Sequence, residues 1–251
     1  MSSKGVAIIT GSAQGLGEGI AYRLSQDGYA VVISDVSSKK EQIDSVVRNI
    51  ESKGGRAIGL IADVTQRSQV QLLVDEAVRQ LEAPLQVMVA NAGLGHANSI
   101  FELSEEHVHT ILDVNIAGVF NCFVVAGRKM LDQRKGGTII AASSAAAFKA
   151  MPLVSAYSAS KWAVRGLTQT FAVELGSLSK DHEMPIRLLE DKLEQIGTPK
   201  KANMSQMETH AESISILGRV GVPSDVANAV SFLAGPDSGF ITGQVSDNSS
   251  L

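Results

Sequence analysis

The chain has 251 residues, with 22 lysines and arginines against 26 aspartates and glutamates, and a formal net charge of -4. That length suits one large α/β unit with a continuous core, so residues 1–251 are read as a single domain. The acidic balance and the lack of a long basic run argue against a nucleic-acid or anionic-membrane surface, because both need a concentrated positive field. A small molecule is left as the expected partner.

In chain order, short apolar runs alternate with stretches of helical period. "GVAIIT" precedes "GLGEGIAYRLSQDG"; "AVVISD" and "RAIGLIAD" precede "QVQLLVDEAVRQL"; "LQVMVANAG" precedes "EEHVHTILDVNIAGVFNCFVVAGRKML"; "GGTIIAASS" follows. Strand, helix, strand repeated in this way predicts a parallel sheet with helices on both faces, and strands apolar almost throughout are what double coverage requires. Thr65 and Ser104 stand where N-caps belong, and Pro223 opens a further helix at "SDVANAV". "FKAMPLVS", 148–155, interrupts the pattern where an active-site loop is expected. The single cysteine, Cys122, lies among large apolar residues and reads as a buried thiol in a reducing compartment. No signal-peptide pattern and no apolar segment of membrane length stand out, so a soluble cytoplasmic protein is expected. The final "SSL" lacks the central lysine of a peroxisomal tail.

"VAIITGSAQGLGEGIA" places Gly11, Gly15 and Gly17 between the first strand and the first helix. Glycines there allow a tight turn and a close approach, so that the free N–H groups of the helix can face a pyrophosphate. Asp35 ends the second strand, 18 residues beyond Gly17. Its carboxylate can accept from both hydroxyls of an adenosine ribose and would repel a 2′-phosphate, which favours NAD(H) over NADP(H). Lys39 and Lys40 read as the solvated start of the next helix. Asp63 follows the third strand, placed to meet an adenine amino group, and Asn91, Ala92 and Gly93 follow the fourth. All lie at carboxyl ends of strands, where open α/β sheets bind ligands.

Beyond the fifth strand come Ser144, Tyr157 and Lys161. A phenol titrates near pH ~10, too high for a base at neutrality, and an ammonium one helical turn away favours the phenolate. A serine hydroxyl can hold a substrate oxygen while tyrosine passes the proton, leaving hydride transfer to a nicotinamide. Ser143 competes with Ser144 on chemistry. The histidines give no rival site: His107 and His109 face different sides of a helix, while His96, His182 and His210 are scattered, so no metal is expected.

TGxxxGxG, the acid on strand two, "NAG", "DVNIAG" and a serine 13 residues before a YxxxK pair together resemble the short-chain dehydrogenase/reductase family. The likeness runs from Val6 to about Leu175 and resumes over 217–244. The resemblance implies a Rossmann-like, doubly wound parallel sheet and a catalytic set of Asn115, Ser144, Tyr157 and Lys161, with Asn115 ordering a water behind the lysine. It also implies cofactor contacts from Gly11, Gly15, Leu16, Gly17, Asp35, Asp63, Val64, Asn91, Ala92, Gly93, Tyr157 and Lys161, and a homo-oligomer, tetramer or dimer. "YSASKWAVRGLTQTFAVELG" looks most like the diacetyl and acetoin reductases, or butanediol dehydrogenases, which use NAD(H). Ala145 to Phe148 would then give an apolar pocket suited to a small uncharged ketone. A 3-oxoacyl substrate is the alternative within the family.

The pattern breaks twice. The Pro-Gly turn that ends the family's sixth strand is absent, and "MPIRLLEDKLEQIG" carries Ile186, Leu189, Leu193 and Ile196 at helical spacing. On the order of a dozen residues are missing before it, too many for loop trimming. Val245 leads into polar "SDNSSL". The sixth and last strands are therefore expected to be missing or truncated. These breaks leave a second reading open, an inactive nucleotide-binding product of a splice variant or faulty gene model.

Overall fold

A computed structural model of the chain describes residues 3–180, 186–191, 219 and 221–245. Among these residues seven strands form one sheet: β1 (Val6–Thr10), β2 (Ala30–Asp35), β3 (Ala57–Ile61), β4 (Leu85–Ala90), β5 (Gly137–Ala142), β6 (Ile186–Asp191) and β7 (Gln244–Val245). They run in the order β3-β2-β1-β4-β5-β6-β7, every neighbouring pair parallel. Helices α1 (Gly15–Gln26), α2 (Lys40–Glu51), α3 (Arg67–Leu81), α4 (Glu105–Leu112), α5 (Val119–Gln133), α6 (Ser155–Lys180) and α7 (Pro223–Ala234) cover it. This is the doubly wound, Rossmann-like architecture that the alternation predicts.

Along β1 the side chains alternate between two cores. Val6 and Ile8 join Leu73 of α3, Phe123 and Met130 of α5 and Val164 of α6; Ala7 and Ile9 join Ile20 and Leu24 of α1, Ile43 of α2 and Val230 of α7. Both faces of the strand are thus removed from water, which is why its five residues are apolar or small without interruption. The strand order reverses between β1 and β4. The carboxyl ends of β1 and β4 at this switch point, where open α/β sheets bind ligands, carry the glycine-rich turn and Asn91.

Three expectations change. The sixth strand is present, built from "IRLLED", and pairs with β5 from Gly137↔Ile186 to Ala142↔Asp191. Ile186, Leu188 and Leu189 satisfy a short apolar strand as well as one helical turn, so spacing alone could not separate the two. The open edge of β5 supplies the backbone partners that decide it. Leu193 and Ile196 lie outside the described residues. Thr65 is not an N-cap: Gln66 holds that position before α3, and the Thr65 N–H and hydroxyl both donate to Asp63 Oδ1, at 2.9 and 2.8 Å. Finally, α4, a six-residue π-helix (Asp113–Gly118) and α5 form one continuous helix, Glu105–Gln133, long and apolar enough to cross a membrane. Of its most apolar stretch 56% is buried inside the fold, as a core helix requires. Among the described residues, the last strand is the two-residue β7, paired with Leu189 and Glu190.

Candidate active site

The glycine-rich turn is held from behind by β4. Asn91, fully buried, donates through Nδ2 to Thr10 O at 2.8 Å and Gly11 O at 3.1 Å. Thr10 Oγ1 accepts from the N–H groups of Asn91 and Ala92, both at 3.1 Å. Gly11 has φ +64°, and a Cβ there would lie 2.8 Å from Ala92 Cα; Gly17 packs so closely that a Cβ would fall 2.4 Å from Gly11 O. Gly15, at φ +63°, has nothing within 4 Å of that position, so open space fronts the first residue of α1. Leu16, the next residue, packs at the edge of the core shared by α1 and α2, and Gly93 is half-buried beyond Ala92.

Asp35 closes over the turn from β2: Oδ2 accepts from Ala13 N at 3.3 Å and Oδ1 from Val36 N at 2.9 Å. The two lysines after it separate. Lys40 pairs with the Asp44 carboxylate along α2, whereas Lys39 Nζ donates to Gln14 Oε1, in the glycine-rich turn, at 3.0 Å. Asp63 spends Oδ1 on Thr65, and the loop that follows is tied to α5, where Asn121 Nδ2 donates to Val64 O at 2.9 Å and Thr65 O at 3.2 Å.

The residues expected to react are Ser144, Tyr157 and Lys161, after β5 and on α6. Tyr157 and Lys161 are 3% and 1% exposed, which no lysine tolerates without compensation. Lys161 Nζ donates to Ala142 O, at the end of β5, at 2.8 Å and lies 5.5 Å from the centroid of the Tyr157 ring. Gly95 lies against that ring, a Cβ there falling 3.1 Å from Tyr157 Cδ2. Ser144 is buried, N-caps the short 3-10 turn Ala145–Ala147 and accepts from Ala146 N at 3.2 Å. Its neighbour Ser143 is fully buried, and its Oγ has no hydrogen-bond partner among the described residues. Ala145, Ala146 and Ala147 are buried too, so of the four residues expected to form an apolar pocket only Phe148 stays partly exposed.

Asn115 sits in the π-helix, whose wider turn breaks the ordinary ladder. Its Oδ1 accepts from Leu94 N at 2.9 Å, while Nδ2 donates to Leu94 O and to Ser160 Oγ, each at 2.9 Å. Ser160 Oγ in turn donates to Tyr157 O at 2.7 Å. Asn115 is therefore joined through Ser160 to the residue that carries the phenol. Sequence reasoning missed Ser160 and Thr10. A serine three residues after the tyrosine, able to bond back to its carbonyl, was the available signal for the first. His96, expected to stand apart, stacks its ring 4.1 Å from that of His107, and no group of three potential metal ligands occurs among the described residues.

A family model described as short chain dehydrogenase matches residues 5–179. The chain belongs to the short-chain dehydrogenase family. It is 36% identical to an L-2,3-butanediol dehydrogenase of Corynebacterium glutamicum, over 96% of this chain and 95% of that protein. It is also 36% identical to an (S)-acetoin-forming diacetyl reductase of Staphylococcus epidermidis, over 95% and 94%. A 3-oxoacyl-[acyl-carrier-protein] reductase of Staphylococcus aureus is 34% identical over 95% and 94%. Among solved structures, a short-chain type dehydrogenase/reductase from Mycobacterium marinum superposes with a TM-score of 0.85 at 30% identity, covering 97% of this chain and 92% of that one.

Short-chain dehydrogenases bind nicotinamide cofactors, and this chain is an oxidoreductase acting on CH–OH groups. Its residues fit such a cofactor. Gln14 makes no side-chain capping bond to α1, and open space fronts Gly15, so the N-terminus of that helix is where a pyrophosphate would be held.

Proposed function

We propose that the chain is an NAD(H)-dependent reductase of small uncharged ketones, diacetyl or acetoin among them, running also in the direction of the secondary alcohol. The observation that carries this reading is the buried Tyr157–Lys161 pair, with the ammonium 5.5 Å from the ring centroid and tethered to β5. An ammonium held beside a phenol in a water-poor site is the arrangement in which a tyrosine can exchange its proton with a substrate oxygen. A bound nicotinamide would supply or take the hydride. Tyr157 gives the substrate oxygen its proton in reduction and removes it in oxidation. Ser144 holds that oxygen through its hydroxyl, and Lys161 would hold the nicotinamide ribose as well. Asn115, bonded to Leu94 and Ser160, supports the proton path behind the lysine.

Asp35 supports NAD(H): a carboxylate already fixed by two main-chain N–H groups presents negative charge where a 2′-phosphate would lie. The butanediol and diacetyl relatives support a small ketone. A 3-oxoacyl substrate is supported by exposed apolar side chains on two loops linked to each other, Phe101 at 96% and Leu153 at 59% exposure, with Asn98 N donating to Leu153 O at 2.8 Å. Exposed Trp162, Val173 and Leu178 on α6 support a homo-oligomer, and the buried free thiol of Cys122 a cytoplasmic site.

The purified protein should oxidise NADH in the presence of diacetyl or acetoin, and bind NADH at least about tenfold more tightly than NADPH. NADH binding with no turnover on these ketones or on a 3-oxoacyl thioester would reject the reductase and favour the inactive reading. Turnover on the thioester alone would reassign the substrate.

A further inference from the structure

Steps of four residues along α6 place Tyr157, Lys161 and Arg165 on one flank of the helix. The first two belong to the reaction proposed above, and the third has no part in it. Arg165 is half-buried, and its guanidinium carbon lies 4.8 Å from the centroid of the Phe148 ring and 5.6 Å from that of Trp162. Both distances fall within reach of a cation–π interaction, which strengthens as the cation loses water. A planar guanidinium can face two rings, which an ammonium does less well.

Phe148 ends the segment that begins at Ser144. Within it, Ser144 Oγ accepts from Ala146 N at 3.2 Å, Ala147 N donates to Ser144 O at 2.9 Å, and Phe148 N donates to Ala145 O at 3.0 Å. Such a turn has little internal freedom, so the placement of its two ends fixes the serine at its start. One end follows Ala142, whose carbonyl is held by Lys161 at 2.8 Å. The other end is Phe148, stacked on Arg165. Both anchors come from the helix that carries Tyr157.

We propose that Arg165 is a positioning residue. By stacking on Phe148 it fixes the far end of the serine turn against α6, and so sets Ser144 Oγ relative to the Tyr157 phenol. The inference rests on the ketone-reductase reading, in which serine and tyrosine grip one substrate oxygen. A displacement of the serine by a fraction of an ångström should then lower the rate without loosening the cofactor.

The test is a set of cycles on kcat/KM with diacetyl or whichever carbonyl the wild type turns over. Arg165→Met and Phe148→Leu should each lower kcat/KM about tenfold, and the double variant should be no worse than either alone. In a Ser144→Ala background Arg165→Met should cost nothing further, because the group it positions is gone. Arg165→Lys should recover part of the loss, NADH affinity should stay within about twofold, and the midpoint of the kcat–pH profile should not move. Wild-type rates in Arg165→Met, multiplicative losses in the double variant, an undiminished loss in the Ser144→Ala background or a shifted pH midpoint would each overturn the assignment. A wild type inactive on every carbonyl would instead overturn the reductase reading. The stack is then read by acrylamide quenching of Trp162, the chain's single tryptophan. Quenching should change in Phe148→Leu, and identical quenching overturns the stack itself.

Discussion

Asn91 and Asn115 are both fully buried, yet they brace different kinds of structure. On the side proposed to hold the dinucleotide Asn91 grips the carbonyls of Thr10 and Gly11, so a side chain buttresses a turn whose working groups would be main-chain amides. On the side proposed to react the working groups would be side chains, and main-chain carbonyls are the buttresses: Ala142 O holds Lys161, and Tyr157 O holds Ser160, which takes Asn115. Backbone amides can bind a pyrophosphate whatever the residue type, provided the backbone comes close enough. A phenol and a hydroxyl can react only if their own atoms are placed. Damage on the first side should therefore appear as lost affinity and stability, and damage on the second as lost rate.

The largest effect should come from Tyr157→Phe. The ring still packs on Gly95, so the fold and NADH affinity should change little, whereas loss of the proton donor should lower kcat by about 10²- to 10⁴-fold. Steady-state rates beside NADH fluorescence titration separate the two. Turnover retained in this variant would break the comparison at its centre, because the phenol would not be the working group.

Gly17→Ala should do the reverse. The added methyl would meet Gly11 O at 2.4 Å, Asn91 Nδ2 at 2.6 Å and Ser12 Cα at 2.8 Å, two of which are backbone and cannot swing aside. Overpacking of that kind costs about 1–3 kcal/mol and pushes the turn off its amides. A lower urea midpoint and a raised Kd for NADH are expected, with kcat at saturating NADH changed far less. A loss confined to kcat would mean that the turn is part of the reacting geometry.

How much of this could be read without coordinates follows from the same division. The glycine-rich turn, Asp35 and the YxxxK pair were legible because each is a local pattern: a turn needs glycine at positive φ, and a lysine one helical turn from a tyrosine is fixed by spacing. The braces were not legible, since Asn91 to Thr10, Asn115 to Leu94 and Arg165 to Phe148 join segments remote in sequence, and no spacing rule ties them. The sixth strand was misjudged for a related reason. Ile186, Leu188 and Leu189 fit a strand and a helical turn equally, and only the exposed edge of β5, a property of the sheet, selects between them.

The smallest effect tests how far support for the dinucleotide side extends. Gly19 of α1 touches Pro223 at the start of α7, where a Cβ would come 3.0 Å from the proline Cβ. That start is fixed by Asp225, which accepts from Val222 N at 2.9 Å and takes both arms of Arg219, at 2.6 and 2.9 Å. The Arg219 guanidinium, with the Val222 N–H behind it, holds the Asp225 carboxyl down to about 2 from an ordinary 3.8. A depressed folded pKa means that the pair contributes fully above 3.8 and is lost as pH falls through about 2. Because the pair is exposed, Asp225→Asn should lower Tm by only about 1–2 °C near neutrality. The gap should close on acidification, as the wild-type carboxyl becomes neutral like the amide, and should narrow in high salt. A gap that survived at pH 2 would show that the carboxylate holds α7 by shape rather than charge. A raised Kd for NADH alongside the lowered Tm would extend the buttressing of the dinucleotide turn from Asn91 out to the start of α7.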